Sequence, residues 1–280
     1  MRQKTSLFGI LLGKIGPYFI NADFLYGSEA DAKSLVSFID ENKEDRYSFP
    51  KKMLDITAKQ YKENAIYKDV VDGMIEIILN TIGVDNIDYI SGGERRDWVF
   101  SYLVANLVQK PHITIYKDAT SVVCRGELHS PGRTQYAPTE AISNLNGAKV
   151  LHVADLLTVG SSYERAWIPA IKGLNSSIYW SLVAVDRMQG GKEFLLEENI
   201  TCYSLVDMGE DLFKEGVRLN YISNEQLDMV LEFMADPDGS MTKFMQNHPE
   251  FIKNSLNSDD EKTRIRAKLC IENGFYGSEN

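Results

Sequence analysis

Residues 150–163 read VLHVADLLTVGSSY and pass from an apolar run through one acid into a small, hydroxyl-rich turn. The run Lys149–Val153 predicts a buried strand, and a helical pattern begins at Tyr163. Asp155 follows the strand, and Gly160 gives the turn a residue that tolerates left-handed backbone. The order of strand, acid, glycine turn and helix is typical of an α/β unit whose strand ends at a ligand-binding edge.

The same alternation of short apolar runs and helical segments extends on both sides of this stretch. It predicts a parallel sheet with helices on both faces, and thus an α/β fold. The predicted strands are Ile87–Ile90, His112–Tyr116, Lys149–Val153, Ile178–Val185 and Thr201–Leu205, and the predicted helices among them are Trp98–Val108 and Tyr163–Ile171. Segment Thr120–Asn146 interrupts the alternation with two glycines and two prolines, so we expect a long functional or mobile loop there.

Helical patterns dominate both ends of the chain. Before the first strand they cover Ser28–Asn42, Lys51–Tyr61 and Tyr67–Ile82, and after residue 207 they cover Leu212–Leu219, Glu225–Met234, Ser240–Gln246 and Glu261–Ile271. Breakers separate the last four, and no strand pattern follows Asp207. We therefore expect a main domain over residues 1–206 and a helical extension over residues 207–280.

The composition excludes several classes of protein. Forty acidic and thirty basic side chains give the 280 residues a net charge of −10, which argues against a general nucleic-acid binder. Three widely spaced cysteines predict neither a disulfide framework nor a thiolate zinc site, which fits the cytoplasm. The apolar run near the N-terminus is broken by glycine, lysine and proline, and no stretch is long enough to span a membrane.

The turn after Asp155 has the chemistry of a phosphate cradle. Backbone amides and hydroxyls at a helix N-terminus favour an anion, and glycine allows close approach. The alternative is an ordinary turn with a serine cap. The residues of the candidate cradle are Thr158, Val159, Gly160, Ser161 and Ser162.

This motif resembles the phosphoribosyl pyrophosphate (PRPP) motif of type I phosphoribosyltransferases, in which two acids precede a Thr-Thr-Gly-Gly-Ser or similar turn. Ala154 stands where the first acid is expected. Three other segments resemble the orotate branch of that family, in the family's order along the chain. They are Gly16–Asn21 (GPYFIN), Gln109–Lys117 (QKPHITIYK) and Val185–Gly191 (VDRMQGG).

The resemblance implies a type I phosphoribosyltransferase fold with an N-terminal hood segment. It places Tyr18 and Phe19 at the base site and directs Arg187 toward the orotate carboxylate, for which a planar guanidinium is well suited. The alternative for Arg187 is a structural salt bridge with Asp186 or a surface acid.

A pyrophosphate loop is implied at residues 91–97, between a predicted strand and a helix. Its glycines permit unusual backbone, and its arginines neutralise an anion. The alternative is a loop with Asp97 as a helix cap and solvated arginines. The residues implied to bind pyrophosphate are Gly92, Gly93, Arg95, Arg96 and Lys117.

Family members also have a mobile basic loop that closes over PRPP. Arg125, His129 and Arg133 are the candidates within Thr120–Asn146, although the family's lysine and histidine spacing is absent. His152, inside an apolar strand, is expected to be a packed or hydrogen-bonded core residue.

The implied function is orotate phosphoribosyltransferase, a pentosyltransferase of pyrimidine biosynthesis that converts orotate and PRPP to orotidine 5′-monophosphate and pyrophosphate. Asp155 and Lys117 are the catalytic candidates, and Mg²⁺ is expected to bind through PRPP, with no direct ligand from the protein. The resemblance also implies a homodimer. Two alternatives stay open: a phosphoribosyltransferase for another base, and a non-catalytic PRPP-binding regulatory protein.

Overall fold

A computed structural model of the chain describes residues 9–11, 14–18, 22–128, 134–138, 144–248 and 250–272. The chain forms two compact units. One unit is Ala22–Met208, and the other combines Met1–Asn21 with Gly209–Asn280.

The unit Ala22–Met208 is built on a sheet of seven strands. The strands are β3 (Tyr89–Gly93), β4 (His112–Ile115), β5 (Ser121–Leu128), β6 (Thr134–Pro138), β7 (Lys149–Leu157), β8 (Ser177–Asp186) and β9 (Thr201–Asp207). Two earlier strands, β1 (Gly9–Leu11) and β2 (Lys14–Gly16), belong to the other unit. Their order across the sheet is β6-β5-β4-β3-β7-β8-β9. Strands β4, β3, β7, β8 and β9 are parallel, and β5 and β6 are antiparallel. The α/β fold with a mostly parallel sheet is thus confirmed.

Strand β7 is buried on both faces of the sheet. Successive side chains of a strand point to opposite faces, and Val150, Leu151, Val153 and Ala154 are all buried. Such a continuous apolar run is what a central parallel strand requires. The predicted strands all exist; β4 ends one residue earlier than predicted, and the other four extend one to four residues beyond a predicted bound.

Helices connect and flank these strands. They are α1 (Glu29–Asn42), α2 (Phe49–Glu63), α3 (Ala65–Ile77), α4 (Asp97–Leu107), α5 (Ile168–Gly173) and α6 (Gly191–Glu197), with a π-helical turn at Tyr163–Trp167 before α5 and a 3-10 turn at Ala22–Tyr26 before α1. The side chain of Ser28 caps α1 by accepting a hydrogen bond from the Asp31 amide. Helix α4 is buried nearly all round, as expected for a helix between the sheet and α2.

The prediction of a long loop over Thr120–Asn146 was wrong, because β5 and β6 lie within it. Strand β5 pairs with the edge of β4, and β6 pairs with β5 from Leu128↔Thr134 to Cys124↔Pro138. Glycine and proline weakened the strand pattern, but proline is tolerated on an edge strand such as β6. Strand β5 forms because it pairs with the edge of β4, and a local sequence pattern does not indicate such pairing.

In the other unit, the described residues form the hairpin of β1 and β2 and five helices. The helices are α7 (Glu210–Arg218), α8 (Asn224–Ala235), α9 (Pro237–Asn247), α10 (Glu250–Leu256) and α11 (Glu261–Glu272). Ser223 and Gln226 form a capping box at the start of α8. The core includes Met241, Met245, Ile252, Ala267 and Cys270.

The predicted boundary near residue 207 lies close to the observed division at Met208. The assignment of the N-terminal segment differs, since the residues described between 9 and 18 group with the C-terminal helices rather than with the sheet. Distant parts of a chain that meet in space carry no common local pattern, so this grouping is not predictable from the residues alone. Among the described residues, no helix has the length and apolarity needed to cross a membrane.

Candidate active site at the carboxyl edge of the sheet

The carboxyl ends of four neighbouring parallel strands meet at one edge of the sheet. Gly93 at the end of β3 is in register with Ile115 at the end of β4, and Leu157 at the end of β7 is in register with Asp186 at the end of β8. The loops that follow these strands therefore lie side by side. In open α/β sheets this edge is where ligands bind.

The turn after β7 has the geometry that its sequence predicted. Gly160 has a φ of +79°, and a Cβ placed on it would run into the ring of Phe194. Val159 is 46% exposed, and Ser162 is also exposed, so the turn faces solvent. Arg165 donates from Nε to the Ser161 carbonyl at 3.1 Å. Glycine is thus required here by the backbone and by Phe194, whether or not an anion binds.

Asp155 lies in the last part of β7, three residues before that turn, and is partly buried. Burial and, to a smaller extent, the nearby Asp97 carboxylate raise the pKa of its carboxyl from 3.8 to about 8, although the Arg96 guanidinium opposes the rise. A carboxyl with such a pKa binds a proton near neutral pH, and a cation or cationic sugar next to it would favour the charged form. Strongly shifted carboxyls in clefts are candidates for function.

Asp97, the first residue of α4, joins this site, a role that the sequence interpretation missed when it considered Asp97 only as a helix cap. Its Oδ1 accepts a hydrogen bond from the Asp155 amide at 3.3 Å, and its Oδ2 accepts one from the Gly93 amide at 3.2 Å. Asp97 is 8% exposed, and burial raises its pKa to about 7. The sequence signal that could have indicated this role is an acid four residues after Gly93, the glycine that ends β3.

His152 is confirmed as a buried, hydrogen-bonded core residue. Its Nδ1 lies 2.9 Å from the Ser91 Oγ, and its ring packs against Tyr163 and Trp167. Burial lowers the pKa of this imidazole to about 3, so it is neutral at physiological pH.

The two glycines at the end of β3 are required by packing. A Cβ on Gly92 would collide with Ser101 of α4, and a Cβ on Gly93 would collide with the ring of Trp167. The peptide bond between Glu94 and Arg95 is cis.

The two arginines of this loop form ion pairs, and Arg96 is also exposed to solvent. Arg95 Nη2 lies 2.5 Å from Asp40 Oδ2, and Arg96 Nη2 lies 2.9 Å from Asp23 Oδ1. An anion that binds these arginines therefore competes with carboxylates already in place.

Lys117 is exposed just beyond the end of β4. Its backbone amide donates to Glu94 Oε2 at 3.1 Å, and Glu94 Oε1 lies 2.5 Å from Lys43 Nζ. Glu94 thus holds the loop after β3 beside the loop after β4. The Lys117 side chain is exposed at the same edge as Asp155.

Arg187 follows directly after β8 and is 7% exposed. Its amide donates to the Leu157 carbonyl at 2.9 Å, so it lies beside the end of β7. The neighbouring Asp186 carboxylate accepts from the Met188 amide at 2.9 Å and lies 3.3 Å from Lys192 Nζ. The backbone of Arg187 is therefore attached to the edge that carries Asp155 and the glycine turn.

A small cavity of about 20 Å³ opens beside Asp155. Its wall combines the charged side chains of Asp155, Arg96 and Asp23 with apolar residues of the 3-10 turn, α1 and α4. The apolar and aromatic lining residues are Ala22, Tyr26, Ala32, Leu35, Val36, Val99 and Phe100.

The remaining predicted site residues are Tyr18, Arg125, Phe19, His129 and Arg133. Tyr18 belongs to the other unit, where its ring lies 5.0 Å from that of Phe213 and 5.9 Å from that of Phe233. Arg125 lies within β5, in register with Ala137 of β6, and thus in a strand rather than an irregular loop. Phe19, His129 and Arg133 lie outside the described residues.

Comparison with known proteins gives fold likeness only. Neither the protein-family models nor the curated proteins contain a match to the chain. Solved structures that resemble it include orotate phosphoribosyltransferase from Francisella tularensis, with 14% identity, TM-score 0.48, and coverage of 81% of this chain and 90% of that one. The UMP synthase of Leishmania donovani has 18% identity and TM-score 0.45, with 61% of this chain covered.

The chain spans 33% of the length of that UMP synthase. Adenine phosphoribosyltransferase from Saccharomyces cerevisiae is also similar, with 19% identity, TM-score 0.39, and coverage of 52% of this chain and 83% of that one. At such identities and TM-scores, these likenesses do not define what this chain binds or catalyses.

Proposed function

We propose that the chain is a phosphoribosyltransferase that joins orotate to the ribose of PRPP and releases pyrophosphate. The observation that carries the proposal is the assembly of one edge. Asp155, the Gly160 turn and Arg187 lie at neighbouring strand ends, with the Gly93 loop beside them. An acid, a phosphate-binding turn and a basic group for the base are what the reaction needs together.

The reaction breaks the bond between the anomeric carbon and the pyrophosphate oxygen while the base nitrogen bonds to that carbon. Positive charge grows on the sugar and negative charge on the leaving group. In this proposal Asp155 holds a ribose hydroxyl and faces the developing cation, and residues 158–162 anchor the 5′-phosphate. Lys117 and the arginines Arg95 and Arg96 stabilise the departing pyrophosphate.

The donor set at this edge fits Mg²⁺ bound mainly through the substrate. The described residues contain no group of three or more metal-ligating side chains. Mg²⁺ commonly keeps several waters and binds through one or two carboxylates and substrate phosphates, and Asp155 is the carboxylate available for that role. When bound, the ion would neutralise charge on the pyrophosphate.

Although Ala154 stands where the family motif has its first acid, the site has a second acid besides Asp155. Ala154 is buried, but the Asp97 carboxylate approaches Asp155 from α4. The edge therefore carries two acids despite the departure from the family motif, which favours catalysis over simple PRPP sensing.

The test is a steady-state assay of the full chain with PRPP, Mg²⁺ and a panel of orotate, uracil, adenine and hypoxanthine. We expect turnover with orotate and a steep loss in Asp155→Asn, with PRPP binding measured in parallel by calorimetry. Preference for another base would leave only the phosphoribosyltransferase class. PRPP binding without turnover would favour a regulatory protein, and absence of both would refute the proposal. A homodimer, which the family resemblance implies, is tested separately by sedimentation.

A further inference from the structure

Asp97 is a buried carboxylate that contacts two segments of the candidate site at once. One oxygen accepts the amide of Gly93 at the end of β3, and the other accepts the amide of Asp155 in β7. A carboxylate that only capped α4 would accept amides from the first turn of its own helix. These hydrogen bonds instead run backward to Gly93 and across to the neighbouring strand.

Two further buried side chains limit how the Asp97 carboxylate can turn. His152 Nε2 lies 3.4 Å from Asp97 Oδ2, while His152 Nδ1 lies 2.9 Å from the Ser91 Oγ. The His152 ring stacks on Trp167, with centroids 6.0 Å apart. Ser91 and His152 are fully buried, so the row Ser91–His152–Asp97 has little freedom to rearrange.

We infer that Asp97 is a positioning residue, which fixes the backbone at Gly93 and at Asp155 so that the pyrophosphate loop and the ribose-facing acid keep one mutual geometry. This inference rests on the proposed phosphoribosyl transfer. The transferred carbon must lie between its leaving group and its stabilising acid, so an error of about 1 Å between the two segments costs on the order of a hundredfold in rate. Asp97 itself need not touch the substrate.

Asp88 provides a matched control at the opposite edge. Its Oδ2 accepts the Lys149 amide at 2.8 Å, and its own amide donates to the Lys149 carbonyl at 2.9 Å. Asp88 therefore links the same two strands, β3 and β7, but at their amino ends and on the exposed surface. If weaker pairing of β3 with β7 were the only cause of a lower rate, the variants of both aspartates would be affected alike.

The experiment compares Asp97→Asn, Asp97→Glu and Asp88→Asn with the unchanged full chain. The asparagine has one acceptor oxygen and so leaves one of the two amides without its partner, while the glutamate keeps the charge but displaces both oxygens. Three quantities are measured: kcat and KM with PRPP, Mg²⁺ and orotate, the melting temperature, and hydrogen exchange in peptides covering residues 91–95 and 154–158.

We expect both Asp97 variants to lose about tenfold to a hundredfold in kcat and to exchange faster in both peptides. Asp88→Asn should stay within about twofold of the unchanged protein in kcat. Wild-type kcat in Asp97→Asn, or an equal loss in Asp88→Asn, would overturn the inference. Recovery of kcat by Asp97→Glu would also overturn it, since charge and not position would then be the cause.

The exchange measurement separates this inference from the proposed function. If the unchanged protein neither binds PRPP nor transfers to any base, the proposed function has failed, and exchange alone decides whether Asp97 fixes the two segments. Unchanged exchange at residues 91–95 and 154–158 in Asp97→Asn would refute the inference in that case too. If Asp97→Asn does not fold, Asp97→Glu and Ser91→Ala carry the same measurements, with a smaller effect expected for Ser91→Ala.

Discussion

Replacing Asp155 by asparagine should raise the free energy of unfolding at pH 8 and lower the rate of turnover. The pKa of Asp155 in the folded protein is about 8, against an ordinary value of 3.8. The folded state therefore holds a proton on this group over a range of pH in which the unfolded chain has released it. Stability from this group is present at low pH and is lost as pH rises from about 4 to about 8.

The size of this effect follows from the shift. One group in this window lowers the free energy of unfolding by up to about 1.4 kcal/mol per pH unit. Asp155 is not fully shielded from solvent, so we expect about 1–2 kcal/mol between pH 5 and pH 8. Asparagine is nearly isosteric and does not titrate, so the variant should match the unchanged protein at pH 5 and exceed it in stability at pH 8.

The assay is urea unfolding of both proteins at pH 5 and pH 8, with turnover measured at saturating PRPP. Asp69→Asn, a change at an exposed position of α3, is the control and should leave both quantities unchanged. We expect Asp155→Asn to retain the fold and lose most turnover, because the charge that faces the developing cation is gone. Equal pH dependence of stability in the two proteins would refute the burial argument, and unchanged turnover would refute the catalytic role.

Substitutions at Gly160, Gly93 and Arg187 also test the edge. Gly160→Val should lower the free energy of unfolding by about 2 kcal/mol or more, because φ is +79° and Phe194 occupies the space; a melting temperature equal to wild type would contradict this. Gly93→Ala should also lower the melting temperature, since the added methyl meets Trp167, and Trp167→Leu in the same chain should restore part of the loss. Arg187→Ala should raise the orotate KM steeply with nearly unchanged PRPP affinity by calorimetry, and Arg187→Lys should recover only part because it lacks the planar fork. Normal orotate binding by the alanine variant would exclude Arg187 from base recognition.

The sequence was sufficient for the central unit of the fold because its signals are local. Each of three features depends on residues a few positions apart: the apolar run of β7, the left-handed backbone conformation at Gly160 and the helical pattern from Tyr163. The same holds for the strand ends that carry Asp155 and Arg187, since parallel strands with buried faces place their carboxyl ends at one edge.

What the tertiary structure alone decided are the contacts between segments distant in the chain. Strands β5 and β6 form because the edge of β4 pairs with β5 in spite of glycine and proline in that region. The ion pairs of Arg95 and Arg96 with Asp40 and Asp23 join the loop after β3 to segments more than fifty residues earlier. Side-chain patterns report which face of an element is buried, but not which element covers it.

Asp97 shows the same limit within the candidate site. Its position at the start of α4 was visible from the sequence as a possible cap, and capping is a local property. Its hydrogen bond to the Asp155 amide depends on β3 and β7 being neighbours in the sheet, with α4 against both. The chain determined by itself which residues could reach the edge, and only the packing of α4 determined that a buried carboxylate holds two of its segments together.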